Sequence, residues 1–139
     1  MVPPDLNDLI ERARARIATA VPDAVAVYVF GSAATGHYAP GSDLDIAVLG
    51  SRPLLPREAY ELARSLEVDL GTDVDLVDLI TASTVLKFEV IARGRRILCS
   101  NRDEVIEFEG RSLAEHARFM EDFAPLFSEI RDSGKAYAP

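Results

Sequence analysis

The residues of this chain that are best suited to chemistry lie close together between positions 31 and 45. Gly31 and Ser32 are followed by ten residues and then by Asp43 and Asp45, which flank Leu44. A glycine beside a serine can present backbone N–H groups and a hydroxyl to a phosphate. Two neighbouring aspartates can hold a hard divalent cation such as Mg²⁺. A phosphate loop next to cation ligands indicates nucleotide chemistry.

Strand geometry explains why the two aspartates belong together. Side chains two residues apart lie on the same face of a strand, so the Cα atoms of Asp43 and Asp45 would be about 7 Å apart. Leu44 and Ile46 would then point into the core on the opposite face. Carboxylates this close repel each other unless a cation lies between them. Gly-Ser alone is most often a tight turn and Asp-x-Asp a solvated strand end, but their order and separation favour the functional interpretation.

Apolar runs on both sides of this stretch predict the strands that carry it. Residues 24–30 are rich in valine and predict a buried strand, and residues 43–49 predict the second strand. Residues 31–42 form the intervening loop and short helix. A third strand is expected over 73–79 and a short edge strand over 96–99.

Apolar residues at helical spacing predict helices over 5–20, 56–66, 81–93 and a final helical region over 101–131. Thr81 or Ser83 can cap the third helix and Asn101 the last. Gly110 and Pro125 are expected to bend or divide the last helix. Its apolar stripe is expected to pack in the core, with a dimer or partner surface as the alternative. The stripe consists of Val105, Phe108, Phe119, Phe123, Leu126, Phe127 and Ile130.

These elements predict an α/β (α+β) fold, with a small mixed β-sheet of about four strands flanked by helices. The chain has 139 residues, which suits one domain with one core. We expect a single domain over 1–139, with its core over 5–100, the C-terminal helical region over 101–131, and loose ends at 1–4 and 132–139.

Composition limits the partners and the compartment. The chain carries 15 Lys and Arg against 23 Asp and Glu, a net charge of −8, which argues against binding a nucleic-acid backbone. No apolar run is long enough to span a membrane. The single cysteine, Cys99, fits a reducing compartment and therefore the cytoplasm, and it is expected to be a small buried hydrophobe. His37 is expected on a surface loop and His116 in a structural role.

The pattern Gly31-Ser32-x10-Asp43-x-Asp45 resembles the signature of the polymerase-β-like nucleotidyltransferase superfamily. The short chain and its C-terminal half resemble the minimal nucleotidyltransferase (MNT) branch, over roughly residues 5–131. Many members of that branch are antitoxins paired with HEPN-domain toxins. The motif is specific for the superfamily and less specific for the substrate.

The resemblance implies a third carboxylate on the strand beside the Asp-x-Asp strand. The sequence over 74–79, Val-Asp-Leu-Val-Asp-Leu, matches the pattern of the MNT branch, in which the first aspartate serves. Asp75 is therefore the predicted third carboxylate. Asp73 shares its strand face but lies near a turn, and Asp78 alternates to the opposite face, where it is expected to cap the next segment. Both remain alternatives.

The resemblance further implies two-metal nucleotidyl transfer. Asp43 and Asp45 would bind two Mg²⁺ ions, and Asp75 would bind the ion nearer the attacking hydroxyl. The predicted nucleotide-binding residues are Gly31, Ser32 and Ser42. Members of this kind are thought to transfer AMP from ATP to a tyrosine of the cognate HEPN ribonuclease toxin, with release of pyrophosphate.

Alternatives to this function remain open. A non-catalytic antitoxin would cover the active site of the toxin, and a small-molecule nucleotidyltransferase would modify a compound such as an aminoglycoside. The expected assembly is a hetero-oligomer with the toxin, without direct binding of nucleic acid or membrane, and a homodimer is the alternative. The basic cluster of Arg93, Arg95 and Arg96 is expected to be solvated, with contact to the triphosphate or a partner as its alternative.

Overall fold

Nine elements make up the part of the chain that the computed structural model describes, residues 5–132, with side chains described to residue 130. In chain order they are α1 (Leu6–Ala20), β1 (Ala26–Phe30), α2 (Ser32–Thr35), β2 (Leu44–Leu49), α3 (Pro56–Leu70), β3 (Val74–Asp78), α4 (Thr84–Arg93), β4 (Arg95–Cys99) and α5 (Arg102–Asp132). The predicted fold class is confirmed. Of the predicted loose ends, residues 1–4 and 133–139 lie outside the described residues, and Asp132 belongs to α5.

The four strands form one mixed sheet in the order β3-β2-β1-β4. Strand β1 is antiparallel to both β2 and β4, whereas β2 and β3 are parallel and are connected through α3. Because of these directions, the end of β1 and the beginnings of β2 and β3 lie at the same edge of the sheet. This edge is the one that carries the residues predicted to do chemistry.

The sheet has a hydrophobic core on each face. Leu44, Ile46 and Val48 of β2 belong to the core that also contains side chains of α1 and α3. Ala47 and Leu49 belong to the core that also contains side chains of α4 and α5. The alternation expected of a strand is thus observed, and the prediction that Leu44 and Ile46 point into the core is confirmed.

Side-chain caps begin three of the helices. Asp5 accepts a hydrogen bond from the Asn7 N–H at the start of α1, at 3.4 Å. Ser83, not Thr81, caps α4 by accepting from the Leu86 N–H at 3.1 Å, and Asn101 caps α5 by accepting from the Glu104 N–H at 3.2 Å. Helix α3 extends to Leu70, four residues beyond the predicted end. Its last turn is held because Leu70, like Leu66 one turn earlier, is buried.

Helix α5 runs without interruption through Gly110 and Pro125, so the expected division of this helix is wrong. Proline removes one hydrogen bond to the preceding turn, but the residues around Pro125 are exposed and water can satisfy the freed carbonyl. Within residues 5–132, no helix combines the length and the apolar character needed to cross a membrane.

Two expectations about burial are wrong. Of the apolar stripe on α5, Val105 and Phe108 are buried, but a later group of four side chains is exposed rather than packed in the core. This group is Phe123, Leu126, Phe127 and Ile130. Cys99 is also exposed. It is the last residue of β4, the edge strand of the sheet.

Candidate active site

Strand pairing brings the predicted site residues to one edge of the sheet. Phe30, the last residue of β1, is paired with Asp45 of β2, so Gly31 and Ser32 follow directly beside this carboxylate. Asp45 is in turn paired with Asp75 in the parallel ladder between β2 and β3. Asp43 lies two residues before Asp45, just outside the strand. Gly31, Ser32, Asp43, Asp45 and Asp75 therefore form one contiguous region.

Gly31 is in close contact with the Asp45 carboxylate. A Cβ atom at position 31 would lie 2.2 Å from Oδ2 of Asp45. The backbone at Gly31 has φ 64° and ψ −144°, a conformation that residues with a side chain rarely adopt. The sequence pattern assigns Gly31 to phosphate binding through its N–H groups but does not show that the absence of a side chain at this position makes room for Asp45. Only the strand register reveals this contact.

Ser32 begins α2 and is half-buried. Within residues 5–132, its hydroxyl makes no hydrogen bond to another protein group. The hydroxyl is thus free to bind a ligand at the edge where Asp45 lies. Ser42 differs, because its hydroxyl accepts a hydrogen bond from the Ala39 N–H at 3.1 Å. In this arrangement Ser42 stabilises the turn before β2, and its predicted contact with a nucleotide stays a prediction.

Asp45 lies among like charges. Burial raises the pKa of the Asp45 carboxyl above its ordinary value, and the charges of Asp75 and Asp43 raise this pKa further. Asp43 and Asp75 are themselves exposed. A divalent cation shared by these groups would remove the repulsion, and carboxylate oxygens are the ligands that Mg²⁺ prefers. The donor set therefore fits the predicted metal.

The carboxylates are close without forming a finished metal cage. In the described part of the chain, no three His, Cys, Asp or Glu side chains are arranged to hold a metal ion as they stand. Rotation of the exposed Asp43 and Asp75 side chains would be needed for all three carboxylates to share an ion.

The other two aspartates of the β3 segment differ from Asp75 in their contacts. Asp73 lies just before the strand, and its carbonyl accepts a hydrogen bond from the Leu44 N–H at 2.8 Å. Its charge is not among those that raise the pKa of Asp45. Asp78 accepts from the Ile80 N–H at 3.0 Å and the Leu54 N–H at 2.9 Å. Asp78 thus stabilises the turn after β3, whereas the next helix, α4, is capped by Ser83.

Two residues of the basic cluster have acidic partners. Arg93 pairs with Glu89 on the same helix at 3.5 Å, and Arg96 pairs with Glu109 of α5 at 2.8 Å. Glu109 also accepts a hydrogen bond from the Tyr28 hydroxyl at 3.2 Å, so this group attaches α5 to the sheet.

The two histidines take no part in the carboxylate group. His37 is exposed, and its Nδ1 lies 3.0 Å from the Thr35 hydroxyl, so its expected surface position is confirmed. His116 stacks on Phe88 with ring centres 3.7 Å apart, a packing contact between α5 and α4. A cavity of about 580 Å³ lies at the opposite edge of the sheet, where Val21, Asp23 and Gly50 line it.

Comparison with known proteins identifies the family to which most of this chain is similar. A family model described as "Polymerase beta, Nucleotidyltransferase" matches residues 15–103, a range that includes all the site residues discussed above. The protein adenylyltransferase MntA of Shewanella oneidensis is 40% identical over 84 residues. That segment is 60% of this chain and 60% of the relative, so the match spans less than two thirds of the relative's length.

Solved structures resemble this chain over most of its length. A crystal structure of a toxin-antitoxin with AMP-PNP matches with a TM-score of 0.79 and 29% identity, over 88% of this chain and 98% of that chain. A structure of a tri-AMPylated Shewanella oneidensis HEPN toxin in complex with its MNT antitoxin matches with a TM-score of 0.76 and 26% identity. In that case the match covers 91% of this chain and 99% of that chain.

Proposed function

This chain belongs to the Polymerase beta nucleotidyltransferase family, and we propose that it acts as a protein adenylyltransferase antitoxin in the cytoplasm. It transfers AMP from ATP to a tyrosine hydroxyl of a cognate HEPN ribonuclease toxin, which silences the toxin. The name of the MntA relative supports the reaction, and the similar complex with a tri-AMPylated HEPN toxin supports the kind of acceptor. The structure with AMP-PNP supports ATP as the donor.

One observation carries the proposal: Asp45 is paired with Asp75 across two parallel strands, with Asp43 close enough for its charge to raise the pKa of Asp45. Three like charges at one edge of a sheet destabilise the folded protein unless they bind a cation. Such an arrangement is costly as a purely structural feature, whereas it is useful for binding a metal–triphosphate complex.

The proposed reaction is an in-line transfer of AMP. The tyrosine oxygen attacks the α-phosphorus of ATP, the bond from this phosphorus to the oxygen of the β-phosphate breaks, and pyrophosphate leaves. Asp75 is more exposed than its strand partner Asp45, and it accepts the proton of the tyrosine hydroxyl. Asp43, Asp45 and Asp75 would hold two Mg²⁺ ions, which supply charge neutralisation and a lowered pKa for the attacking hydroxyl.

The phosphate groups are held by the segment that follows β1. Ser32 offers a hydroxyl with no partner among the described residues, and Gly31 leaves room for the backbone and Asp45 to approach the same ligand. The net charge of −8 favours a basic protein as acceptor, because opposite charges speed and orient association. A toxin that binds RNA meets this requirement.

The test uses the chain co-expressed with its HEPN protein, with the intact mass of that protein as the readout. The Asp43→Asn, Asp45→Asn double variant is expected to lower AMP transfer at least about 100-fold, as expected when groups that stabilise developing charge are removed. Asp73→Asn is the matched control. It removes an acid from the same edge of the sheet and is expected to leave transfer unchanged.

A second candidate function is neutralisation by covering the toxin, which the exposed apolar side chains of α5 favour. Neutralisation by covering would replace AMP transfer as the proposed function if the Asp43→Asn, Asp45→Asn variant folds and still neutralises the toxin at equal stoichiometry without any added AMP. Label transferred from ATP to an aminoglycoside-type compound, and not to protein, would instead identify a small-molecule enzyme.

A further inference from the structure

The C-terminal part of α5 has no buried face. Val105, Phe108 and Ser112 are buried against the domain, and Phe119 is half-buried. From residue 120 to residue 127, every side chain is exposed, whether apolar or polar. A helical segment of this length gains little stability from its own hydrogen bonds in water. Its apolar side chains therefore suggest that another chain covers it.

The apolar side chains of this segment follow a regular repeat. They lie at alternating steps of three and four residues, at Met120, Phe123, Phe127 and Ile130, which we call the α5 seam. Its four members are each between 39% and 48% exposed. The same spacing continues back to His116, which is already stacked on Phe88 of α4. This repeat presents one continuous stripe to a second helix. Pro125 falls on the side of α5 opposite the stripe, where it does not interfere with such packing.

The charge of the whole chain distinguishes between possible partners. Glu121 and Asp122 lie on the side of α5 away from the seam, and neither makes an ion pair within residues 5–132. Between residues 113 and 130, Arg118 is the one Lys or Arg. Pairing of two copies of this chain would bring together two molecules that each carry a net charge of −8. Like charges at an interface oppose association, so a second copy is disfavoured.

We propose that the α5 seam docks an amphipathic helix of a partner protein with net positive charge, and that apolar residues of this helix pack on the seam. The proposal rests on the proposed function for the existence of a partner, and it adds the surface and the chemistry that recognise it. Aromatic side chains at the centre of an interface commonly provide most of its binding energy. Phe123 and Phe127 are therefore the expected anchors.

The test compares two variants with the same change in net charge. Phe123→Glu with Phe127→Glu introduces two negative charges on the seam, and Arg118→Glu changes the charge equally on the opposite side of the same helix. Affinity for the cognate HEPN protein is measured by titration calorimetry, AMP transfer by intact mass, and ATP binding separately. Helix content and thermal unfolding check that both variants fold.

We expect the seam variant to bind the HEPN protein at least about 100-fold more weakly and to bind ATP normally, with Arg118→Glu unchanged in both. When the HEPN protein is present at a limiting concentration, AMP transfer by the seam variant should fall together with its affinity for that protein. Equal binding by the wild type and the seam variant would overturn the docking proposal while leaving the adenylyltransferase intact. A wild type that binds through the seam but transfers no AMP would overturn the enzymatic proposal alone. A homodimer that sedimentation detects, and that the seam variant dissociates, would show a second copy to be the occupant.

Discussion

Replacement of Gly31 by alanine tests the geometry of the candidate site most directly. The added Cβ would lie 2.2 Å from Oδ2 of Asp45, whereas ordinary contacts begin at 3.4 Å, so this oxygen must move by more than about 1 Å. The end of a side chain can move at little cost to stability. A displacement of about 1 Å in a reacting group can nevertheless lower a rate about 100-fold.

The substitution also affects the backbone. Gly31 has φ 64° and ψ −144°, and a residue with a side chain in such a sparsely populated region costs about 1–3 kcal/mol. Gly36→Ala is the matched control, since Gly36 has a φ of 81° but no atom within 4 Å of its added Cβ. It introduces backbone strain without the collision with Asp45.

Two measurements separate these effects. Urea unfolding is expected to show that both variants lose about 1–3 kcal/mol of stability. AMP transfer to the HEPN protein, measured for folded protein, is expected to fall about 100-fold for Gly31→Ala and to stay near wild type for Gly36→Ala. If Gly31→Ala kept full transfer activity, the position of the Asp45 carboxylate would not matter for the reaction, and the assignment of the site would be refuted.

Two further predictions concern stability. Asp45→Asn is expected to raise the midpoint of thermal unfolding slightly at neutral pH. It is expected to have no such effect below pH 3.8, the ordinary pKa of an aspartate. The reason is that burial and the charges of Asp75 and Asp43 raise the pKa of Asp45 in the folded state. The charged carboxylate destabilises the fold only above that range; a rise of equal size at both pH values would contradict this cause. Asp78→Ala is expected to cost about 2 kcal/mol in urea unfolding, because the N–H groups of Leu54 and Ile80 lose their acceptor. An unchanged unfolding midpoint would show that water replaces Asp78 at no cost.

Helix α5 shows where sequence periodicity becomes insufficient. Its apolar residues recur at helical spacing along the whole element, and this pattern is the same for a side that faces the core and a side that faces a partner. Val105 and Phe108 are buried whereas Phe123 and Phe127 are exposed, because the helix is longer than the domain surface that it can cover. Sequence periodicity predicts the length of a helix, but it does not predict how much of that helix the domain surface can cover.

The expectation that Cys99 is buried was wrong for a related reason. A cysteine after an isoleucine and a leucine at the end of a strand resembles a core residue. Cys99 is exposed at the end of the edge strand β4, whereas Ile97 of the same strand packs against the core. How far the core extends along a strand is a property of the assembled fold.

Local rules were enough for much of the rest. The alternation of side chains along a strand assigned Leu44 and Ile46 to the core and put Asp43 and Asp45 on the other face. Helical periodicity and cap residues located α1 and α4 to within a few residues. The spacing of Gly31, Ser32 and the two aspartates indicated nucleotide chemistry before any strand was paired.

The amino-acid order alone thus determined which side chains share a face and which residues begin a helix, because these depend on neighbours within a few positions. The family resemblance named Asp75 as the third carboxylate, but only the folded chain decided that it is paired with Asp45, that Gly31 contacts Asp45, and that the end of α5 is uncovered. Each of these depends on the register between strands or on the size of a packed surface. Such quantities arise when distant segments meet, and no local pattern specifies them.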